Sequence, residues 1–207
     1  MLNIFRDTRP ERLASAIEND DTSALNKALG KADDALLGQP IRDGRHAAEL
    51  AICHRRPQLL KLILAAGADA GSTDRDDRPL LELALMQPEQ SLALISALLQ
   101  AGADPNRRLP SGLPPLHACF DHCEPTQQML HLSRLLQAGA TIEATDQQGR
   151  TLLERALPDG RRELIHFLVH SGSPLPASAP ADVEPDTWDY ACRCHQDYCI
   201  RQRFLAP

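Results

Sequence analysis

Runs of leucine that close on Gly-Ala recur along this chain and set its periodicity. The run is LILAAGAD at residues 62–69, ALLQAGAD at 97–104, RLLQAGAT at 134–141 and, in a weaker form, FLVHSGS at 167–173. Successive closing glycines are 35, 37 and 33 residues apart, namely Gly67, Gly102, Gly139 and Gly172. Self-similarity at this period is typical of stacked repeats, so the pattern predicts an array of helix pairs.

Each helix pair has too little apolar surface to form a core alone, so we expect neighbouring pairs to stack. The apolar positions follow the spacing of one helix face. Glycines at the ends of the second helices are expected to supply a positive φ, as helix C-termini require. The predicted stack places Leu59, Leu60, Ile63 and Leu64 on Leu94, Ile95, Leu98 and Leu99, and these on Leu132, Leu135 and Leu136.

The N-terminal segment resembles the later units but lacks their recurring Gly-Ala motif. Thr8, followed by Pro10 and Glu11, is predicted to cap a first helix, and residues 22–29 are predicted to form a second. A terminal repeat has only one neighbour, and its outer face must be polar. We therefore interpret residues 9–38 as an N-terminal capping repeat.

From Asp43 onward the units resemble the ankyrin repeat, with a glycine-containing hairpin, a Thr-Pro-Leu-His helix start and a second helix closing on Gly-Ala. The best match is Gly112, Pro114, Pro115, Leu116, His117 and Cys119. The resemblance covers roughly residues 9–175 and implies an all-α ankyrin-repeat solenoid of helix-turn-helix repeats. Its repeats are expected at about 41–73, 74–108, 109–145 and 146–175, with a C-terminal extension from 176 to 207.

Departures from the family pattern have structural implications. His117 keeps the motif histidine, whose side chain in the family helps to tie neighbouring turns together. Glutamates replace it at Glu49, Glu82 and Glu154. The third and fourth units, counting the cap as first, carry extra residues between their helices, at MQPEQS and DHCEPTQQ.

The resemblance also implies a function, which is the binding of another protein on the concave surface formed by hairpin tips and first helices. The recurring arginines Arg45, Arg78 and Arg150 either face an acidic segment of that partner or are simply solvated. The candidate hairpin residues are Arg42, Asp43, Arg45, Arg75, Asp76, Arg78, Arg107, Arg108, Leu113 and Arg150, and the first helices add His54, Gln87, Asp121 and His122.

Composition limits the class of binding partner and the cellular compartment that we expect. A net charge of −6 disfavours nucleic-acid binding, which needs a basic field. No apolar run approaches the roughly 18 residues that span a bilayer. The N-terminal residues show no basic segment followed by an apolar stretch, so we expect no cleaved secretory signal. We expect a cytoplasmic monomer with reduced cysteines. Three lysines against nineteen arginines, with abundant alanine, favour a bacterial origin.

No catalytic constellation is present in the sequence. It contains no glycine-rich phosphate loop, no Gly-x-Ser-x-Gly elbow and no His-Glu-x-x-His motif. His117, Cys119, His122 and Cys123 have the composition of a zinc site but not the spacing of one. We therefore expect a protein with no enzymatic activity and no cofactor.

The C-terminal extension is the segment that the repeat pattern does not explain. A Pro- and Ala-rich spacer, PLPASAPADVEP, precedes a predicted helix capped by Asp186. One interpretation is a capping helix over the last repeat. A second is a partner-binding or groove-masking segment that uses Trp188, Tyr190 and Tyr198. A third is a metal or redox site formed by Cys192, His195 and Cys199.

Two alternatives to a general binding module therefore remain open. The chain could be a bacterial inhibitor or immunity protein that blocks a partner enzyme. It could also be a regulator that responds to metal or redox state through its Cys- and His-rich tail.

Overall fold

A computed structural model describes residues 7–205 of the 207-residue chain. Over these residues the chain forms twelve α-helices and no β-strand, which confirms the all-α prediction. No helix in the described range is long and apolar enough to cross a membrane. The chain divides into two compact units, with the boundary after Pro105.

Three helix pairs build the first unit. Their apolar faces meet, since α1 packs on α2 and α4, and α5 packs on α7. The predicted stack of the leucine runs within this unit is confirmed, although Leu99 is half-exposed. Burial of each large aliphatic side chain stabilises the unit by about 1.5–3 kcal/mol. The helices are α1 (Arg9–Glu18), α2 (Thr22–Leu29), α3 (Asp34–Leu37), α4 (Ala47–Cys53), α5 (Pro57–Ala65), α6 (Leu80–Leu85) and α7 (Ser91–Gln100).

Aspartates accept backbone N–H groups at the starts of the two N-terminal helices. Thr8 occupies the N-cap position of α1, as predicted, but its side chain makes no capping hydrogen bond. The Asp7 carboxylate instead accepts the Arg9 N–H at 2.9 Å. At α2 the Asp21 side chain accepts the Ala24 N–H at 2.9 Å, as an N-cap should.

Two helix pairs and a long C-terminal helix build the second unit. α8 pairs with α9, α10 pairs with α11, and α12 packs on α11. Leu132 and Leu135 are fully buried, whereas Leu136 is half-buried. The helices are α8 (Pro115–His122), α9 (Gln128–Gln137), α10 (Leu152–Ala156), α11 (Arg162–His170) and α12 (Pro185–Leu205).

Glycines end the second helices as predicted. Gly67, Gly102 and Gly139 have φ values of 106°, 92° and 95°. In this region of φ a residue with a Cβ is strained, so glycine allows the chain to leave the helix and enter the next hairpin.

The C-terminal helix begins at Pro185, one residue before the predicted Asp186 cap. The N–H groups of Thr187 and Trp188 both donate to the Glu184 carbonyl at 3.0 Å. Proline fits the first turn because its missing N–H would have no partner there. Packing of α12 on α11 is the arrangement that the capping interpretation predicts.

Candidate partner-binding site

The hairpin at residues 74–78 is held by a buried aspartate. Asp74 is only 5% exposed, and its carboxylate accepts the N–H groups of Asp76 at 2.8 Å and Arg78 at 3.0 Å. The Arg78 Nε donates to the same carboxylate at 2.9 Å. These bonds fix the loop backbone, while the side chains of Arg75 and Asp76 stay exposed.

The hairpin at residues 146–150 repeats this arrangement. Asp146 accepts the N–H groups of Gln148 at 2.8 Å and Arg150 at 2.9 Å, and the Arg150 Nε at 3.1 Å. Burial opposes ionisation of Asp146, but the backbone and guanidinium donors outweigh it and lower the pKa of this carboxyl. Asp146 is therefore an anion at neutral pH, and we call this arrangement of Asp and Arg an aspartate lock.

The hairpin at residues 109–113 has the same backbone closure without an aspartate. Leu109 stands at the aspartate position, and its N–H donates to the Leu113 carbonyl at 3.0 Å. The Arg108 guanidinium donates to the Gly112 carbonyl at 2.6 Å. The amide of Gln147, from the next hairpin, donates to the Ser111 carbonyl. This hairpin is therefore held by side chains outside it.

A small cleft lies where these last two hairpins meet the end of α8. Its volume is about 240 Å³. Among the predicted site residues it brings together Leu113, Asp121 and Arg150, and it adds polar side chains that the sequence did not single out. The full lining is Ser111, Leu113, Asp121, Asp146, Gln147, Gln148, Arg150 and Arg155.

Arg155 is the main residue that the sequence analysis missed. Its guanidinium pairs with the Asp121 carboxylate, lies 3.2 Å from His117 Nδ1 and sits 5.1 Å above the Phe120 ring. It thereby fixes the C-terminal half of α8. No local sequence signal marks Arg155, because its partners are more than thirty residues away in the chain.

His117 ties its repeat to the following turn, as the family pattern implied. The imidazole is fully buried, and Nε2 lies 2.9 Å from the Ala144 carbonyl. Burial and the Arg155 charge lower the pKa of His117, although the bond to Ala144 opposes them. The neutral ring with its proton on Nε2 satisfies both contacts, since it donates to Ala144 and accepts from Arg155.

The three recurring arginines each pair with an acidic residue four positions away. The N–O distances are 3.5 Å for Arg45 to Glu49, 2.8 Å for Arg78 to Asp74 and 3.0 Å for Arg150 to Asp146. Their guanidinium charges are therefore engaged within the protein's own repeats. An acid at this spacing from each arginine was the sequence signal that could have revealed the pairs.

The remaining predicted residues of the first unit are spread over several elements. Arg42 pairs with Glu18 at 3.4 Å, and the Gln87 amide donates to the Leu83 carbonyl at 3.0 Å. The others are exposed side chains, namely Asp43, His54, Arg75 and Asp76.

In the second unit, Arg107 and His122 lie outside the cleft lining, as does Arg108. Arg107 is exposed ahead of the 109–113 hairpin, and His122 is exposed at the last position of α8. Both remain predictions for partner binding.

The tail residues lie on or beside the interface with α11. Trp188, Tyr190 and Tyr198 are half-buried, and the Arg162 guanidinium carbon is 5.2 Å from the centre of the Tyr190 ring. Cys199 Sγ and His195 Nε2 are 3.5 Å apart. Across the described residues no three His, Cys, Asp or Glu side chains gather as a metal site, so neither Cys192 with this pair nor the His117 cluster forms one.

Comparison with known proteins shows a partial similarity. No protein-family profile matches the chain. Over 182 residues the chain is 30% identical to the E3 ubiquitin-protein ligase KEG of Arabidopsis thaliana. The alignment covers 83% of this chain but only 11% of KEG, so the chain spans about a tenth of that relative's length.

Proposed function

We propose that this chain is an ankyrin-type repeat protein that binds another protein and has no enzymatic activity. The observation that supports this is the aspartate lock, which fixes the hairpin backbone while tip side chains remain exposed. A surface that is ordered before binding loses less conformational entropy on association. The partial similarity to a ubiquitin-protein ligase is in keeping with a protein partner.

The cleft of the second unit is the proposed contact surface. At about 240 Å³ it is smaller than the roughly 300–1,000 Å³ of most small-molecule sites. It suits the insertion of one or two side chains from a partner loop. Gln148 and Ser111 offer hydrogen-bonding groups, and Leu113 offers an apolar contact.

Charge on the first unit suggests a second, weaker contact. Arg78 is neutralised by Asp74 and Asp76, whereas Arg75 is exposed at the tip of the same hairpin. We propose that an acidic segment of the partner faces Arg75 rather than the recurring arginines.

A photo-crosslinking experiment tests the cleft. A photoreactive phenylalanine analogue replaces Gln148 in the full chain, and the matched control replaces Gln137, an exposed glutamine on α9 of the same unit. We expect one host protein to crosslink through position 148 and not through position 137. Excess unmodified chain should compete with this product.

Affinity measurements with the purified partner then test whether Gln148 contributes to binding. We expect Gln148→Glu to weaken binding by about tenfold or more, equivalent to about 1.4 kcal/mol, and Gln137→Glu to leave it unchanged. Equal crosslinking at both positions, or equal affinity of the two variants, would show that the cleft is not the binding surface.

A further inference from the structure

Two cysteine sulfurs lie side by side where α8 meets the inserted loop that follows it. Cys119 Sγ is 3.7 Å from Cys123 Sγ, and the Cys119 thiol donates its hydrogen to the Cys123 sulfur. Cys119 is fully buried, whereas Cys123 is half-exposed at the end of the helix. A thiol pair with one buried and one reachable sulfur is suited to reaction with an oxidant from solvent.

A buried imidazole completes the cluster. His131 on α9 is 1% exposed, and its Nδ1 lies 2.9 Å from the Gln127 carbonyl. The other ring nitrogen, Nε2, is buried without a hydrogen-bond partner among the described residues, and the ring interacts with the Cys123 side chain. A buried imidazole that interacts with a thiol favours the ion pair of imidazolium and thiolate.

The electrostatics of the two sulfurs differ accordingly. The hydrogen bond from Cys119 lowers the pKa of the Cys123 thiol, and the imidazoles of His131 and His122 lower it further against the effect of burial. The pKa of Cys119 is raised by its bond to Cys123 and by burial. Elsewhere in the chain, burial raises the pKa values of Cys53 and Cys192.

The inserted loop is anchored so that the two sulfurs stay adjacent. The Gln128 amide donates to the carbonyls of Phe120 at 2.8 Å and Cys123 at 3.2 Å. Arg161 holds Gln128 in turn, through a 2.5 Å bond to its side-chain oxygen, and donates to the Pro125 carbonyl at 2.8 Å. Residues 124–127 are exposed, and Cys123 itself is half-exposed.

We propose that Cys123 is a peroxide-reactive thiol and that Cys119 resolves it into an intrachain disulfide. The Cys123 thiolate attacks one oxygen of hydrogen peroxide, the O–O bond breaks, and the hydroxide released takes up a proton to become water. The product is a sulfenic acid on Cys123. Cys119 sulfur then attacks the Cys123 sulfur, and the hydroxyl leaves with the Cys119 proton as a second water molecule.

Atoms and electrons balance in this reaction. Two thiols lose two electrons and become one disulfide, while peroxide gains two electrons and becomes two water molecules. The S–S distance shortens from 3.7 Å to about 2.05 Å. The site is independent of the proposed partner binding, since its chemistry needs only the α8 end, His131 and the oxidant.

Treatment of the full-length chain with hydrogen peroxide, followed by alkylation and peptide mass spectrometry, tests the product. We expect a peptide linked between Cys119 and Cys123. In Cys119→Ser we expect a sulfenic acid on Cys123 that dimedone traps. The matched control, Cys194→Ser, removes another buried cysteine and should keep the link. Absence of the 119–123 link in the unmodified chain would overturn the proposal.

Alkylation rates test the origin of the reactivity. At pH 6.5 we expect Cys123 to react with iodoacetamide at least about tenfold faster than Cys192, because each unit of pKa changes the thiolate fraction about tenfold. His131→Gln should slow Cys123 alone, with folding checked by circular dichroism. Equal rates at the two cysteines of the unmodified chain would also overturn the proposal.

Discussion

The hairpins at residues 109–113 and 146–150 share one backbone closure and differ in what supports it. In the second, Asp146 accepts two backbone N–H groups and an arginine from within the same five residues. In the first, Leu109 offers no such acceptor, and the support comes from Arg108 and from Gln147 of the next hairpin. One loop is stable by its own chemistry, and the other depends on its neighbours.

The largest predicted effect comes from removing the lock itself. Asp146→Ala and, in the first unit, Asp74→Ala should each lower the free energy of unfolding by about 3 kcal/mol, because backbone donors and a guanidinium lose a buried anion. Urea denaturation followed by circular dichroism measures the loss.

The control for this prediction lies within the same hairpin. Asp76 is exposed, and its carboxylate pairs with Arg78 at the surface. Asp76→Ala should therefore cost no more than about 0.5 kcal/mol. A similar loss for Asp74→Ala and Asp76→Ala would mean that the buried carboxylate does not hold the loop.

The next largest predicted loss of stability comes from His117, which ties the repeat containing the 109–113 hairpin to the turn that follows it. His117→Phe keeps a ring of similar volume but removes the bonds to Ala144 and Arg155. We expect a loss of about 2 kcal/mol at pH 7, since the half-buried Ala144 carbonyl loses its donor and Arg155 loses its acceptor.

The pH dependence of His117→Phe identifies the cause. The pKa of His117 is lowered in the folded protein, so the neutral ring is favoured by folding. Its stabilisation is complete above the unfolded pKa of about 6.5 and is lost as the pH falls below that value. The stability difference between the unmodified chain and His117→Phe should therefore shrink between pH 7 and pH 5, and a constant difference would contradict this account.

The smallest predicted loss of stability comes from Gln147, which supports the 109–113 hairpin from the next one. Gln147→Ala should lower stability by only about 1 kcal/mol, since it removes one hydrogen bond to Ser111. Hydrogen exchange provides an internal control. The Gly112 amide, bonded to Leu109, should exchange faster, whereas the Gly149 amide, bonded to Asp146, should not change. Faster exchange at both glycines would indicate general loosening instead.

The helices and their ends were largely predictable from the sequence. The 3.6-residue spacing of leucines predicted the buried helix faces, and the glycines at 67, 102 and 139 predicted the C-terminal ends of the second helices. These features depend on local propensity and on periodicity. Thr8 occupies the predicted N-cap position of α1 without making a side-chain capping bond. The predicted Asp186 cap is wrong, because α12 already begins at Pro185.

The site was only partly predictable. Arg45, Arg78 and Arg150 were recognised as a recurring set, but the acids that pair with them, each four residues away, were not connected to them. Arg155 and His131 could not have been found by local reasoning. Arg155 reaches into the preceding repeat, and the contact of His131 with Cys123 is set by the path of the inserted loop.

The aspartate lock has a further consequence for how this surface can change through evolution. Because Asp74 and Arg78 hold their hairpin, mutation can exchange the exposed Arg75 between them at little cost to folding. New recognition properties can accumulate there one substitution at a time. At the 109–113 hairpin, a change that displaces the Ser111 carbonyl also affects Gln147. Sequences of related proteins should therefore vary independently at position 75 and in a correlated way at positions 111 and 147.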